Sequence, residues 1–465
     1  MDYSKTYEFI QSEFTESVIP TLCEYIKVDN LSPNYDLEWD SNGKAEVAAQ
    51  ILLDWVLKQN LEGLKAEILK QDNLTPVLLV QIESNGGKGN VFMYGHFDKQ
   101  PHFSGWDEDL GPCKPVIKGD YLYGRGGADD GYAIFSCVES IKLCQKFGAK
   151  HGRVVILIEG SEESGSIHLM NYIDLLGDVI GEPDLLICMD SGCMNYEGLW
   201  LTSSLRGVAI QDITVEVLQE AVHSGVGTGI APDSFMILRN LLERIEDSKT
   251  GQVNELFRVE IPKLRVEQAI EVGKLMKEEV IMCKMLPGVE TLSNDYGQLL
   301  LNNTWEPTIT ITGATGFPAH ITAGNVLRAS TSMRLSMRLP PTLDEQKAGN
   351  DLYDILTKDP PFNAKITVNK IGNGSGWNNR DLSEKLIKSL NNSSNHFFGK
   401  DFLEYGMGGS IPFINTLFNK FKGDFLVMGI LGPNSNAHAP NEALHIPYCQ
   451  KLTTILGHIV SDYSQ

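Results

Sequence analysis

The sequence predicts an α/β protein with a mostly parallel sheet, into which a second, α+β domain is inserted. Up to about residue 205, apolar strand-like runs alternate with helical patterns, as in βαβ units around a parallel sheet. From residue 208 onward, strand-like runs alternate apolar and polar residues, which indicates half-exposed antiparallel strands. From about residue 380 the strand–helix alternation returns, so the first domain is expected to contain two separate parts of the chain.

The length of the chain supports this division. At 465 residues it exceeds the size that one hydrophobic core usually supports, so two domains are expected. We predict a first domain of residues 1–207 and 380–465, and an inserted domain of residues 208–379. Apolar residues make up 42% of the chain and charged residues 21%, as in ordinary globular proteins.

Net charge and cysteine usage restrict the partners and the compartment. A formal charge of −21 argues against nucleic-acid and anionic-membrane partners, because both require basic patches. The first residues lack a basic segment followed by an apolar run, so no signal peptide is expected. Eight cysteines are scattered without a Cys-x-x-Cys pair, which favours a reducing compartment. We therefore expect a cytoplasmic protein.

Helical periodicity in the first domain covers residues 5–28 and 44–59, and a further helix is predicted from Tyr132 to Ile141. In the inserted domain, strands are predicted at residues 208–217, 308–312, 332–339 and 364–370. Helices are predicted at residues 235–245 and 343–356, and the Gly/Asn-rich residues 371–379 are expected to form a linker.

Acidic residues and histidines follow five apolar runs that are predicted as buried strands. The runs are residues 91–95, 122–128, 154–158, 185–189 and 425–430. They lead into His96 and Asp98, Asp129 and Asp130, Glu162 and Glu163, Asp190, and His438. Because ligands of open α/β sheets bind outside the carboxyl ends of strands, these residues are candidates for one site. Two histidines with several carboxylates and no thiolate are typical of a hydrolytic metal site.

Each motif taken alone has an ordinary alternative. His96 and Asp98 could be a surface pair, or one could bind a metal while the other orients it. Asp129 lies in a glycine-dense turn, which could be a solvated turn or could present a carboxylate that bridges two metal ions. Glu162 and Glu163 could both be exposed, or one could bind metal while its neighbour acts as general base. His102 is expected to be a loop residue.

The ordered set of motifs resembles a known family. The motifs are Gly95-His-x-Asp98, Gly124-Arg-Gly-x-x-Asp129, Glu162-Glu163-Ser-Gly, Asp190 and the late His438. Together they resemble the zinc metallopeptidases that include carboxypeptidase G, aminoacylase, the acetylornithine and succinyl-diaminopimelate deacylases and carnosine dipeptidase. In that family the inserted domain is a lid that usually carries the dimer contact, so the resemblance implies a homodimer.

The resemblance implies a role for each residue of the candidate site. Asp129 would bridge two divalent metal ions, with zinc expected and manganese or cobalt as alternatives. His96 and Asp190 would complete one metal site, and Glu163 and His438 the other. Glu162 would act as the general base, and Asp98 would orient His96. The peptide bond between Asp129 and Asp130 would be cis, as in relatives.

Further segments resemble the dipeptidase branch of the family. The segment Ala221–Gly225 carries His223, which would cross the dimer to stabilise the oxyanion. Arg338, in Ser336–Pro340, would bind the substrate carboxylate. Gly409 and Ser410 would bind the carboxyl-terminal end of the substrate, and Asn325 would polarise the carbonyl.

The function implied is hydrolysis of dipeptides or short peptides. The alternatives are an N-acyl amino-acid deacylase and a metal-free binding protein on the same fold. The dipeptidase is preferred because, in the family that the chain resembles, the residue at the position of Asp190 tends to be Asp in aminopeptidases and dipeptidases, and Glu in deacylases and carboxypeptidases.

Overall fold

A computed structural model describes residues 1–465, without the side chain of Pro412. The chain divides into two compact units. Unit 1 contains Met1–Thr202, Arg380–Glu404 and Thr416–Gln465, and unit 2 contains Ser203–Asn379 and Tyr405–Asn415. No helix among the described residues is both long and apolar enough to cross a bilayer.

The helices are, in chain order, α1 (Tyr3–Glu13), α2 (Ile19–Ile26), α3 (Lys44–Lys58), α4 (Ala133–Lys146), α5 (Leu169–Leu175), α6 (Gly177–Ile180), α7 (Ser224–Gly227), α8 (Ser234–Glu243), α9 (Lys263–Met276), α10 (Tyr296–Thr304), α11 (Glu345–Thr357), α12 (Glu384–Phe398), α13 (Pro412–Lys420) and α14 (Ile446–Tyr463). The strands are β1 (Leu64–Leu69), β2 (Val77–Ile82), β3 (Asn90–His96), β4 (Val116–Lys118), β5 (Tyr121–Tyr123), β6 (Arg153–Glu159), β7 (Leu185–Cys188), β8 (Trp200–Leu205), β9 (Gly207–Glu216), β10 (Val222–His223), β11 (Thr308–Thr315), β12 (Val326–Leu327), β13 (Ser330–Leu339), β14 (Lys365–Gly374), β15 (Trp377–Asn378), β16 (Leu403–Met407), β17 (Asp424–Val427) and β18 (Ala443–His445).

The main sheet of unit 1 has the strand order β1-β2-β6-β3-β7-β17. Strands β6, β3, β7 and β17 run parallel, whereas β1 and β2 are antiparallel additions at one edge. The parallel strands are buried along almost their whole length, which explains their near-continuous apolar sequences. The predicted mostly parallel sheet is confirmed.

Two of the five site positions that the sequence placed at strand ends do not directly follow a strand of this sheet. Strand β5 stops at Tyr123 and pairs with β4 and β18 in a separate antiparallel sheet, so Asp129 follows a loop. Strand β17 ends at Val427, and a long loop separates it from His438. Tertiary folding, and not a shared sheet edge, therefore brings these two residues to the site.

The first predicted helix is interrupted in its hydrogen-bonding pattern. Between α1 and α2, residues Phe14–Val18 form a π-helical turn. Pro20 lies in the first turn of α2, where its missing N–H removes a donor from the helical ladder.

Close backbone approach places α4 and β3 beside the candidate site. A Cβ atom on Gly95 would lie 2.5 Å from Ala133 Cβ and 2.7 Å from Asp130 Oδ2. The missing side chain at Gly95 therefore lets the start of α4 lie directly against the end of β3. The predicted helix at Tyr132 begins one residue later, at Ala133.

Unit 2 is built on a four-stranded antiparallel sheet with the order β11-β13-β9-β14. Strand β9 alternates buried and half-buried residues, as its sequence predicts. The apolar core contains Ile213 and Leu335 from the sheet, Leu241 from α8 and Leu352 from α11. Both helices begin at an aspartate cap, Asp233 or Asp344, whose side chain accepts a backbone hydrogen bond.

Two predictions about unit 2 need correction. Most of the stretch 371–379 is not a linker, because residues up to Gly374 extend strand β14 and Trp377–Asn378 form β15. Residues 405–415 belong to unit 2, although the sequence placed all of 380–465 in the first domain.

We expect Glu139→Gln to stabilise the protein at neutral pH. The Glu139 side chain on α4 is fully buried, and its Oε2 has no hydrogen-bond partner among the described atoms. Burial raises the pKa of Glu139 to about 7 from 4.5, although Lys142 opposes the shift. Between these pH values the unfolded state releases a proton that the folded state keeps, so the unfolding free energy falls as pH rises. Denaturant unfolding should show a gain of ~1–3 kcal/mol at pH 8 and a smaller gain at pH 5.

Glu24→Gln serves as the control, because the Glu24 side chain is 60% exposed. An equal gain in both variants, or no pH dependence of the gain for Glu139→Gln, would contradict the prediction.

Candidate metal centre

His96 is the last residue of β3 and its side chain is fully buried. Its Nδ1 lies 3.3 Å from Asp98 Oδ1, and its Nε2 lies 3.2 Å from Asp129 Oδ1. The backbone N–H of His96 donates to Asp130 Oδ2 at 3.2 Å. A carboxylate on Nδ1 holds the ring so that Nε2 faces Asp129, which is the arrangement that orients metal-binding histidines.

Asp98 connects His96 to the acidic pair that follows β6. Its Oδ1 and Oδ2 accept the backbone N–H groups of Glu162 and Glu163, both at 3.0 Å. Glu162–Ser164 form a single 3-10 turn. The buried Asp98 carboxylate thus orients the His96 ring and also stabilises the turn that carries Glu162 and Glu163.

Asp129 lies between the two histidines. Its Oδ1 faces His96, and its Oδ2 is 3.0 Å from His438 Nε2. The Asp129–Asp130 peptide bond is cis, as the resemblance implied. The two distances show that each oxygen of the Asp129 carboxylate faces a different imidazole, as a ligand shared by two metal ions requires.

His438 and Glu163 lie on the side of Asp129 opposite His96. His438 Nε2 is 3.1 Å from Glu163 Oε2, and Gln100 Nε2 donates to the same oxygen at 2.6 Å. The His438 side chain is 53% exposed, whereas Glu163 is buried. The backbone of His438 has a left-handed φ of 58°, in a loop where Asn434, Asn436 and Asn441 also adopt positive φ.

These contacts form two groups of ligand atoms that share one residue. The first contains His96, Asp129 and Asp190, and the second contains Asp129, Glu163 and His438. Within each group, one ligand atom from every residue lies within 4.8 Å of the others. All five sequence-predicted ligands therefore meet in unit 1, in the sets that the resemblance implied. Two ions that share a carboxylate lie ~3.5–4 Å apart.

The electrostatics of the pocket suit two cations. Burial raises the pKa of Asp190 to about 6 and that of Glu163 to about 7. Burial and the nearby Asp190 raise the pKa of Glu162 well above its usual value. Buried carboxylates without enough positive charge hold protons, and two divalent ions would supply the missing charge. The donor set of imidazole nitrogens and carboxylate oxygens therefore fits a pair of ions such as zinc.

Burial disfavours the protonated forms of His96 and His438, but hydrogen bonds with carboxylates favour them and raise the pKa of both. Although burial lowers the pKa of His438, hydrogen bonds to Asp129 and Glu163 raise it to about 11. Burial raises the pKa of Asp129, but hydrogen bonds from His438 and His96 outweigh it and the net shift is downward. Binding of a metal would replace the imidazolium proton of His438.

Glu162 is close to this group without belonging to either ligand set. Its Oε2 is 3.9 Å from His96 Nε2, and its side chain is 16% exposed. The adjacent carboxylates of Glu162 and Glu163 thus face different histidines.

Several residues that hold the site were not identified from the sequence. Glu442 Oε1 accepts the backbone N–H groups of Gly126, Ala128 and Asp129, at 2.9, 3.1 and 3.2 Å. Its Oε2 pairs with Arg125 Nη1 at 2.7 Å, and both side chains are buried. Glu442 ends the loop that carries His438, so proximity in sequence was the available signal.

The residues predicted to bind substrate all lie in unit 2. Arg338 Nη1 donates to Ser410 Oγ at 3.0 Å, and Ser410 Oγ donates to Arg206 O at 2.5 Å. Arg206, which the sequence did not single out, is nearly buried, and its Nε donates to Gly408 O at 3.0 Å. It thereby holds the loop that contains Gly409 and Ser410.

His223 and Asn325 are neighbours at an exposed two-stranded antiparallel sheet of unit 2. Strands β10 and β12 pair so that His223 lies opposite Val326. The N–H of Ser224 donates to Asn325 O at 2.9 Å, and His223 Nδ1 accepts the N–H of Gly225 at 3.1 Å. Both side chains are exposed.

Comparisons with known proteins identify proteins to which this chain is similar. Residues 92–462 match the family described as "Peptidase family M20/M25/M40". The chain is 26% identical over 391 residues to the Cys-Gly metallodipeptidase DUG1 of Saccharomyces cerevisiae, covering 80% of this chain and 79% of that protein. It is 24% identical over 401 residues to the probable di- and tripeptidase DUG2 of the same yeast, covering 83% of this chain but only 44% of that longer protein.

A solved structure shows the same fold. Human carnosine dipeptidase 1 superposes with a TM-score of 0.76 at 19% identity, covering 100% of this chain and 99% of that chain. The predicted α/β fold with its inserted domain is thereby confirmed.

We expect substitutions of the ligands to remove ions in a fixed pattern. Asp129→Asn should remove both ions of this centre, because both ligand groups share Asp129. Asp190→Asn and Glu163→Gln should each remove one, because each belongs to one group. Metal analysis of protein that was equilibrated with zinc and then freed of unbound metal measures the number of ions per chain. Asp174→Asn is the control, because the Asp174 side chain is 69% exposed. If Asp129→Asn keeps both ions, Asp129 is not the shared ligand.

Proposed function

The chain belongs to Peptidase family M20/M25/M40, and we propose that it hydrolyses dipeptides or short peptides at a centre of two divalent metal ions. Zinc is the proposed metal, with manganese or cobalt as alternatives. The observation that carries the proposal is the position of Asp129, whose two oxygens face His96 and His438 separately. The ligands would be His96, Asp129 and Asp190 for one ion, and Asp129, Glu163 and His438 for the other.

When bound, the ions would lower the pKa of a water molecule and polarise the peptide carbonyl. Glu162 is proposed to receive the proton of the attacking water and to deliver it to the leaving amine. Two features support this role: the Glu162 carboxylate lies 3.9 Å from His96 without belonging to either ligand group, and its surroundings raise its pKa. Asp98 would keep Nε2 of His96 directed at the ion.

Substrate recognition is assigned to the residues of unit 2. Arg338 would bind the substrate carboxylate through its planar guanidinium, and Ser410 supports it by accepting one of its hydrogen bonds. Gly409 and Ser410 would contact the carboxyl-terminal end of the peptide, and Asn325 would polarise the carbonyl. Recognition of a terminal carboxylate favours short peptides.

A homodimer through the inserted domain is part of the proposal. The surface around His223 exposes large apolar side chains: Val226 is 66%, Ile230 86% and Ile321 93% exposed. Exposed large apolar side chains near one another in the fold are typical of surfaces that bind a partner. A second copy seated there would bring His223 of the partner subunit to the substrate oxyanion.

A dipeptidase is preferred over an N-acyl amino-acid deacylase. The ligand at position 190 is Asp, and two relatives of similar sequence are named as a metallodipeptidase and a probable di- and tripeptidase. A cytoplasmic location is also proposed, because all eight cysteines are free thiols.

We expect the zinc-loaded protein to hydrolyse Ala-Leu and similar dipeptides faster than N-acetyl amino acids. Release of free amino acids measures both activities. Glu162→Gln should keep its metal content and lose ~10²–10⁴-fold in kcat, because only the proton carrier is removed. Faster hydrolysis of acetylated substrates would reverse the preference, and undiminished turnover by Glu162→Gln would remove Glu162 from this role.

Mixing two inactive variants tests whether subunits share a site. Glu162→Gln and His223→Ala should each be nearly inactive as homodimers. In a mixed dimer, one site combines an intact Glu162 with the intact His223 of its partner, so dipeptide hydrolysis should return after mixing. Activity that stays at the level of the separate variants, despite subunit exchange verified by native mass spectrometry, would contradict a shared site.

A further inference from the structure

A second group of ligand-type side chains in unit 1 shares no residue with the centre described above. It contains Asp29, His102 and Cys113, whose ligand atoms lie within 4.8 Å of one another. His102 Nε2 is 2.6 Å from Asp29 Oδ1 and 3.8 Å from Cys113 Sγ. The sequence predicted only a loop position for His102, and gave no role to the other two residues.

We infer that Asp29, His102 and Cys113 form a separate binding site for one transition-metal ion of the zinc class. The carboxylate and the thiol approach the same ring nitrogen of His102. A catalytic relay would place the carboxylate on one ring nitrogen and the nucleophile on the other. Here the carboxylate of Asp29 and the thiol of Cys113 both approach Nε2 of His102, as ligands that surround a common cation do. Thiolate, imidazole and carboxylate together suit zinc and its neighbours better than magnesium or calcium.

One of the two distances from the His102 nitrogen is close to that of a tetrahedral site, and the other is shorter. With zinc–nitrogen and zinc–oxygen bonds of ~2.0 Å and a zinc–sulfur bond of ~2.3 Å, the ligand nitrogen lies ~3.5 Å from sulfur and ~3.3 Å from oxygen. The nitrogen–sulfur distance of 3.8 Å is close to this value. The nitrogen–oxygen distance of 2.6 Å is that of a direct hydrogen bond, which must lengthen by ~0.7 Å to admit an ion. Binding would release the thiol proton of Cys113, and the thiolate and carboxylate would balance the charge of the ion.

Lys44 is the competing cation at this site. Its Nζ is 2.8 Å from Asp29 Oδ2, which leaves Oδ1 facing His102. The side chains of Lys44 and Asp29 are 38% and 41% exposed, so Lys44 can turn into solvent and an ion can enter from it. Asp29 follows α2, His102 follows β3 and Cys113 precedes β4, so a bound ion would join three separate segments.

Cobalt provides a direct test, because a thiolate bound to Co²⁺ absorbs in the near ultraviolet. The dinuclear ligand set contains no thiolate, so this absorption reports the second site alone. Full-length protein, stripped with chelator and titrated with Co²⁺, should develop the absorption and bind one ion more per chain than Cys113→Ser. Cys113→Ser should lack the absorption. Cys23→Ser and Cys283→Ser should retain it, because neither of these cysteines belongs to a ligand group among the described residues.

A second variant keeps the inference falsifiable if Cys113→Ser folds poorly. Lys44→Met should bind the additional ion several-fold more tightly, because it removes the competing cation. Absence of the thiolate absorption in the wild-type protein, or an unchanged absorption in Cys113→Ser, would overturn the inference. Dipeptide hydrolysis that persists without the absorption would leave the proposed function intact, whereas absorption without hydrolysis would retain this site and contradict the proposed function.

Discussion

The site depends on one carboxylate that is held between two imidazoles. Asp129 is buried, and each of its oxygens approaches a different histidine. Its backbone is held in place because Glu442 accepts three backbone N–H groups of the loop, including that of Asp129 itself. The pairing of Glu442 with Arg125 compensates the buried charge that this requires. The position of the proposed bridging carboxylate is therefore determined by contacts with residues outside both candidate ligand groups.

Single carboxylates connect elements that are distant in the chain. Asp98 binds the ring of His96 and the backbone of Glu162 and Glu163, so the orientation of one ligand is coupled to the turn that presents another. Gly95 allows α4 to lie against β3 at the same point. Side chains that are held by such contacts would lose little conformational entropy on binding an ion.

The same arrangement is electrostatically costly without cations. Asp190 and Glu163 have raised pKa values because burial disfavours their ionised forms. Positive charge at the centre would relieve this cost, so ion binding is expected to stabilise unit 1 through the same groups that serve the proposed hydrolysis. Unit 2 has a separate apolar core and a separate buried cation, Arg206, which holds the loop that includes Ser410.

Local pattern was sufficient for much of this protein. The apolar runs predicted β3, β6 and β7, the alternating run predicted β9, and the order of the motifs pointed to His96, Asp129, Glu163, Asp190 and His438 as ligands. Such features depend on residues close together in the chain, where side-chain periodicity follows directly from backbone geometry.

Tertiary structure decided what depends on distant residues. The run at residues 122–128 resembles a core strand, yet only Tyr121–Tyr123 pair, and they do so in a small separate sheet. Residues 405–415 join unit 2 although the chain around them belongs to unit 1. In the sequence, Glu442 resembles a surface acid, and Asp29 and Cys113 belong to no motif. Their roles depend on partners that folding brings from other segments of the chain. The physical reason is that burial and charge pairing are set by neighbours in space, and local periodicity does not specify which distant residues those will be.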